Sequence, residues 1–278
     1  MPERAVKTIS ITSGKGGVGK TNLVAALSIA MRRLGKKVMI FDADLGLSNI
    51  DVLLHLAPRY NIQHLLKGEK TLAEIIIEGP LGIKIVPASS GIQELTALDE
   101  FQRLRLMESF DSYSEDIDVL LIDTPAGISE NVAFFCTASE EIVVITSPEP
   151  TAITDAYAII KVLFTRYQEK DFHIIVNSTR DADEAFEIFE RLSLAAERFL
   201  HISLNYLGQI PFDDAVKSAV MAQRSFLDLY PNSPASKAVI EIAERILEND
   251  GRIKGGLQFF IRSLLRHSAQ ETTLCKGR

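Results

Sequence analysis

The chain has no tryptophan, only two cysteines among its 278 residues and no apolar run long enough to cross a bilayer. A membrane-spanning helix needs about 20 consecutive apolar residues. Cys136 and Cys275 form neither a metal-binding nor a disulfide pattern, which is typical of a protein in a reducing compartment. A first strand is expected almost at the N-terminus, which leaves no room for a signal peptide. These absences predict a cytoplasmic protein that is soluble unless something docks it at a membrane.

Positive charge is scarce over most of the chain. Thirty basic residues stand against 37 acidic residues, which gives a formal net charge of −7. Residues 251–278 contain six of the basic residues and a single acid, so this tail carries +5 and the remaining body −12. Because DNA binding requires Lys and Arg against phosphates, the acidic body disfavours DNA as a partner.

The clearest chemical motif is Gly-Lys-Gly-Gly-Val-Gly-Lys-Thr at residues 14–21, which fits the phosphate-binding loop G-x-x-x-x-G-K-[ST]. Its glycines let backbone N–H groups turn toward phosphate oxygens, and the following helix adds the positive end of its dipole. In this pattern Lys20 contacts the β- and γ-phosphates and the Thr21 hydroxyl ligates Mg²⁺. The alternative is a glycine-rich turn without a ligand. The motif predicts nucleotide binding by Gly14, Lys15, Gly16, Gly17, Val18, Gly19, Lys20, Thr21 and Asn22.

Three aspartates follow apolar runs that are typical of buried strands. Residues 38–41 lead into Asp42 and Asp44, and residues 119–122 lead into Asp123. Ligands of parallel α/β sheets bind beyond the carboxyl ends of the strands, where these acids would lie. A single aspartate after a strand is often a helix N-cap or a turn former. Their combination with the phosphate-binding loop favours a nucleotide and metal site.

The loop contains a second lysine, Lys15, which ordinary P-loops do not need. The octapeptide at 14–21 resembles the deviant Walker A loop of the MinD/ParA ATPases, and the resemblance extends over residues 6 to about 248. It implies ATP hydrolysis with Mg²⁺. It also implies that Lys15 crosses a homodimer interface to the nucleotide of the other subunit, where a cation delivered in trans stabilises the transferring phosphoryl group. The alternative is that Lys15 is an ordinary solvated lysine.

The same resemblance gives roles to the acids. Asp123 matches the Walker B acid that holds Mg²⁺ through water, and Asp44 matches the residue that orients the attacking water. Asp42 is expected to support the outer shell of the metal. The expected metal-site residues are therefore Thr21, Asp42 and Asp123, and the expected catalytic residues are Lys15, Lys20 and Asp44.

The base site is expected at the ends of two later strands. Relatives hold adenine with an Asn and with backbone around a Pro-x-Asp, which here correspond to Asn177, Pro211 and Asp213. No Asn-Lys-x-Asp guanine motif is present, since Ser178-Thr179-Arg180 follows Asn177, and this favours ATP over GTP. The alternative is that these are strand-end turn residues without a ligand.

Apolar runs and amphipathic stretches alternate up to about residue 248. This alternation predicts a doubly wound α/β fold with a mainly parallel sheet and helices on both faces. We expect a P-loop ATPase domain at 1–248, a flexible linker at 249–256 and a tail at 257–278. The turn-rich segments 45–51 and 124–129 are expected to act as nucleotide switches, or else as rigid connections. Strands are predicted at 6–12, 37–42, 83–87, 118–123, 142–147, 172–177 and 205–210, and helices at 21–34, 99–110, 151–167, 182–199 and 235–248.

The tail contains a short amphipathic segment, which resembles the membrane-targeting helix of MinD. At helical spacing its apolar residues form one arc, while Arg262 and Arg266 lie elsewhere and Phe259 falls on the polar side. Such a helix suits an anionic membrane surface, and two of them in a dimer would bind more tightly. Docking on the body or in a protein groove are the alternatives. The expected membrane-binding residues are Leu257, Phe260, Ile261, Leu264 and Leu265.

Within the MinD/ParA family, the segments at 42–54, 86–91, 153–161 and 203–208 most resemble the FlhG group, which regulates flagellar number and placement. This implies the GTPase FlhF, flagellar switch or basal-body proteins and a flagellar transcription regulator as partners. Residues 1–4 are too few for the extension with which many FlhG proteins stimulate FlhF, so that route is not expected. The alternatives are division-site placement as by MinD, DNA segregation as by ParA, and iron–sulfur transfer, which needs paired cysteines.

Overall fold

The computed structural model describes residues 6–45, 49–89, 98–113 and 116–249. The linker predicted at 249–256 lies outside these residues except for Asn249, and so does the whole amphipathic segment. The domain boundaries and the membrane-binding residues therefore stay predictions. The described part includes the complete phosphate-binding loop, the three aspartates and the expected base site.

An eight-stranded sheet forms the centre of the described chain, in the order β3-β4-β2-β5-β1-β6-β7-β8. All neighbouring strands are parallel except β3 and β4, and β1 lies between β5 and β6. The carboxyl end of β1 is therefore near the middle of the sheet, where ligands of this fold class bind. The strands are β1 Lys7–Thr12, β2 Val38–Asp42, β3 Ile77–Glu78, β4 Lys84–Val86, β5 Val119–Asp123, β6 Glu141–Thr146, β7 His173–Thr179 and β8 Asn205–Pro211.

The seven strands predicted from the sequence are all present, and β3 is the addition. It has two residues, which is too short for a hydrophobic pattern to reveal. The helices are α1 Lys20–Arg33, α2 Ile50–Leu53, α3 Ile62–Leu66, α4 Leu72–Ile75, α5 Glu100–Asp111, α6 Glu130–Ala138, α7 Pro150–Tyr167, α8 Ala182–Leu200, α9 Asp214–Met221, α10 Phe226–Leu229 and α11 Pro234–Glu248, with a 3₁₀ turn at Pro80–Gly82.

Helices cover both faces of the sheet, as the alternating pattern predicts. One apolar core joins α1, α10 and α11 to the sheet, and two others join α3, α5, α6, α7 and α8 to the opposite face. Phe41 on β2 lies at the centre of the second face, with its ring 5.7 Å from that of Phe110 and 5.3 Å from that of Phe135. This packing fixes the strand ends from which the candidate site is built.

Within the described residues, every helix is too short or too polar to span a membrane.

Candidate nucleotide-binding site

The loop between β1 and α1 has the backbone that a phosphate-binding loop requires. Gly17 and Gly19 adopt φ values of 82° and 91°, a left-handed conformation that residues with a Cβ rarely accept. Gly14 serves packing instead, because a Cβ there would lie 2.1 Å from the carbonyl oxygen of Asp155 on α7. The glycines thus bend the loop and allow it to lie directly against α7.

A cavity of about 630 Å³ opens in front of this loop, within the size range of small-ligand sites. The predicted residues Gly16 to Asn22 line it, and Asp44 joins them at the carboxyl end of β2. The structure therefore brings together most of the predicted phosphate-binding residues and the expected water-orienting acid. Two further lining residues, Asn49 and Ala126, belong to the segments 45–51 and 124–129 that are expected to act as switches. The sequence did not identify the other lining residues, which are Ser13, Val52, Leu53, Val220, Met221 and Gln223.

The predicted metal-site and phosphate-site residues converge on Asp123. Its Oδ1 accepts a hydrogen bond from Lys20 Nζ at 2.7 Å, and its Oδ2 accepts one from Thr21 Oγ1 at 2.8 Å. The Asp123 side chain is 1% exposed and that of Lys20 is 10% exposed, so this ion pair is well shielded from water. A carboxylate and a hydroxyl side by side are hard oxygen donors, which Mg²⁺ prefers. The donor set fits the predicted metal.

Asp42 is buried next to Asp123 and holds the backbone that follows it. The two aspartates are direct neighbours in the register of β2 and β5, and Asp42 is 0% exposed. Its carboxylate accepts hydrogen bonds from the N–H groups of Asp44 at 3.2 Å, Asn49 at 3.2 Å and Ile50 at 3.3 Å. Burial and then the charge of Asp123 raise the pKa of Asp42 to about 8, although the three N–H donors lower it. A divalent cation nearby would favour the ionised form, which fits an outer-shell role.

Lys15 contacts α7 of its own chain. Its Nζ donates to Thr151 Oγ1 at 2.9 Å and forms an ion pair with Glu149. The side chain of Lys15 is 35% exposed and that of Glu149 is 65% exposed, and ion pairs this accessible to water contribute little stability. Lys15 therefore lies at an accessible surface, held by a weak contact.

The three expected base-binding residues occupy different places. Asn177 lines a second cavity, of about 120 Å³, and its Nδ2 donates to the carbonyl of Val18 in the phosphate-binding loop at 2.7 Å. Pro211 and Asp213 line neither of these two cavities. The Asp213 carboxylate accepts hydrogen bonds from the N–H groups of Ala215 at 2.9 Å and Ala235 at 3.2 Å, so it caps α9 and braces the start of α11. Base binding by these three residues stays a prediction.

Cys136 is buried in α6, and burial raises the pKa of its thiol to about 12. Its side chain is 0% exposed, so it is not accessible to a cluster held between two subunits. This disfavours iron–sulfur transfer through Cys136.

Comparison with known proteins agrees with this geometry. A family model described as an AAA domain matches residues 6–174, and a ParA model described as a NUBPL iron-transfer P-loop NTPase matches residues 102–247. The chain is 39% identical to the antiactivator FleN of Pseudomonas aeruginosa, with 95% of each chain covered. It is 35% identical to the flagellum site-determining protein YlxH of Helicobacter pylori, covering 94% of this chain and 90% of that protein.

Among solved structures, the septum site-determining protein MinD of Pyrococcus horikoshii, complexed with Mg-ADP, has a TM-score of 0.72 and 26% identity, covering 90% of this chain and 99% of that one. The phosphate-binding loop, the aspartates at the strand ends and these relatives agree. The chain belongs to the MinD/ParA family of P-loop ATPases, within the FlhG-like group that includes FleN and YlxH.

Proposed function

We propose that this protein is an ATP-driven switch that dimerises with ATP, associates with the membrane through its tail and regulates the number and placement of flagella. The main supporting observation is the convergence of Lys20, Thr21 and Asp123 in front of a nucleotide-sized cavity, with Lys15 on an accessible surface beside it. The similarity to FleN and YlxH supports the flagellar role.

Residues in and beside the cavity would have separate roles in hydrolysis. Bound ATP would supply the phosphoanhydride bond that is cleaved, and Mg²⁺ would neutralise its phosphates. The loop N–H groups and Lys20 would bind and orient the phosphates, while Thr21 and Asp123 would hold the metal. Asp42 fixes the backbone N–H of Asp44 at 3.2 Å, and the Asp44 side chain orients the attacking water. The Mg-ADP complex of the P. horikoshii MinD supports both cofactors.

Dimerisation would give Lys15 its function. Its contact with Glu149 and Thr151 is exposed and weak, so a second subunit can replace it without a large cost. In an isologous two-fold dimer each Lys15 would reach the phosphates of the other subunit. Turnover would then be slow in the monomer and responsive to partners that alter the dimer.

The tail would couple the cycle of ATP binding and hydrolysis to binding and release of the membrane. Residues 257–265 lie outside the described structure, and their apolar arc and the +5 charge of the tail suit an anionic membrane. We propose a protein of the cytoplasm that binds reversibly to the inner face of the cell membrane. Candidate partners are FlhF, flagellar switch or basal-body proteins and, given the antiactivator name of FleN, a flagellar transcription regulator.

Liposome flotation of the full chain tests the membrane step. We expect strong binding to anionic liposomes with a non-hydrolysable ATP analogue and weak binding with ADP, because two tails act together only in the dimer. Phe260→Glu or Leu264→Glu should remove most of this binding, since burying one large apolar side chain contributes about 1.5–3 kcal/mol at best. Phe259→Glu is the matched control on the polar side and should change binding much less.

Added salt should weaken binding to anionic liposomes. The double variant Arg262→Glu/Arg266→Glu should show the same loss on anionic liposomes and little change on neutral ones. Equal flotation with ADP and with the ATP analogue, or no flotation with either, would refute the membrane switch.

Division-site placement is the second candidate function, because the fold is similar to that of MinD. Deletion of the gene separates the two functions. Altered flagellar number with normal septa supports the proposal, and misplaced septa with normal flagella support the second candidate.

A further inference from the structure

One wall of the large cavity is built from two segments that are far apart in the chain. Val52 and Leu53 of α2 form one side of it, and Val220, Met221 and Gln223 at and after the end of α9 form the other. The phosphate-binding loop and the strand-end aspartates contribute nothing to this wall. Four of its five side chains are apolar, and the two segments meet through a hydrogen bond from Gln223 to the carbonyl of Val52.

The side chain of Gln223 joins the two segments. Its Nε2 donates to the carbonyl oxygen of Val52 at 3.0 Å, and its Oε1 accepts a hydrogen bond from Nδ1 of His55 at 3.0 Å. Since the amide oxygen can only accept, this contact requires that Nδ1 of His55 carries the hydrogen. We call Gln223, His55 and the carbonyl of Val52 the clasp.

Both side chains of the clasp extend from residues at which a helix ends. His55 has a φ of 53° and Gln223 a φ of 50°, and the N–H groups of the residues that follow them donate back to the carbonyls of Asp51 and Ala219. This left-handed conformation is a common end of an α-helix. The clasp therefore joins the C-terminal ends of α2 and α9 at the edge of the cavity.

The other end of α2 is tied to the phosphate site. The N–H groups of Asn49 and Ile50 donate to Oδ2 of Asp42, which neighbours Asp123 in the sheet. Helix α2 is therefore tied to Asp42 at its start and to the turn after α9 at its end, while Ile50, Leu53 and Leu54 pack in the core. Loss of the clasp would leave α2 on the core, and the exposed edge of the wall at Val52 would lose its contact with the turn after α9.

We propose that the clasp gates the release of nucleotide: His55 and Gln223 are positioning residues that keep α2 against α9 and so retain the nucleotide in the large cavity. This proposal rests on the proposed nucleotide binding at that cavity. It gives α9 and the turn after it a function in the nucleotide cycle, because any partner that contacts this turn could accelerate ADP release by opening the clasp.

Stopped-flow dissociation of a fluorescent ADP analogue from the full chain tests the clasp. Gln223→Ala removes two hydrogen bonds and should accelerate dissociation about 5- to 30-fold, with a smaller effect on the association rate. His55→Ala removes one of them and should accelerate it about 2- to 10-fold. Because the two side chains act through one contact, the double variant should be no faster than Gln223→Ala alone. Gln223→Glu keeps the acceptor for His55 and loses the donor to Val52, so its rate should be intermediate.

Two matched controls separate gating from general stability. Gln168 and His201 likewise have a left-handed backbone at helix ends, those of α7 and α8, and they lie outside the residues that line the cavity. Gln168→Ala and His201→Ala should leave the dissociation rate unchanged, whatever they do to the melting temperature.

A dissociation rate of Gln223→Ala equal to that of the wild type would overturn the clasp while leaving the proposed function intact. If Gln223→Ala does not fold, the same comparison with His55→Ala decides. No binding of the ADP analogue by the wild type would overturn the proposed function, and the clasp with it.

Discussion

Asp44→Ala is expected to bind ATP and Mg²⁺ and to lose turnover by roughly 10²- to 10⁴-fold, the usual contribution of a positioned acid or base. The reason is its place in the site. Asp44 lines the cavity at the carboxyl end of β2, whereas Lys20, Thr21 and Asp123 form a separate hydrogen-bonded group that would hold phosphate and metal. The variant retains the backbone N–H of residue 44, which donates a hydrogen bond to Asp42.

Phosphate release and ATP-analogue affinity should be measured together on Asp44→Ala, with Asp171→Ala as the control. Asp171 is an exposed aspartate whose carboxylate accepts a hydrogen bond from Nδ2 of Asn205, and it does not line the cavity. Asp44→Ala should also accumulate as an ATP-bound dimer. If Asp44→Ala instead abolishes nucleotide binding, Asp44 has a structural or metal-binding role, and Asp42 becomes the better candidate for orienting the water.

Lys15→Ala should lose ATP-dependent dimerisation and most hydrolysis while keeping much of its ADP affinity. Lys15 does not line the cavity of its own chain, so its removal leaves the phosphate contacts of Lys20 and the loop in place. Loss of one preorganised charge-stabilising group commonly lowers kcat by about 10²- to 10³-fold. Sedimentation and phosphate release measure both effects.

Lys37→Ala is the matched control for this variant. Lys37 is likewise an exposed lysine in an ion pair, with Asp116 at 2.7 Å, and it precedes β2 at the opposite end of the strand from Asp42. It should dimerise and hydrolyse ATP as the wild type does. A Lys15→Ala protein that behaves like Lys37→Ala would remove the argument that Lys15 acts on the other subunit.

Local patterns were sufficient to predict seven of the eight strands and to name the residues that converge on Asp123. The phosphate-binding loop is a contiguous motif, and Asp42, Asp44 and Asp123 each follow a buried strand directly, so the neighbouring register of β2 and β5 brings them together. Helix α6 was not predicted because it is buried from Asn131 to Ala138, and a helix without a polar face has no amphipathic pattern.

The rest of the site depends on tertiary packing that no local pattern records. Val52 and Gln223 are 171 residues apart in the chain, and only the packing of α2 beside the end of α9 brings them into contact. The capping contacts of Asp213 show a related limit. An aspartate before a helix can serve as an N-cap or as part of a ligand site, and the sequence pattern is the same for both.

Sedimentation equilibrium of the wild-type full chain tests the central claim, a nucleotide-controlled dimer, most directly. With Mg²⁺ and ADP we predict the monomer of 30.8 kDa, and with Mg²⁺ and a non-hydrolysable ATP analogue we predict a species of twice that mass. The same mass with both nucleotides would contradict the account.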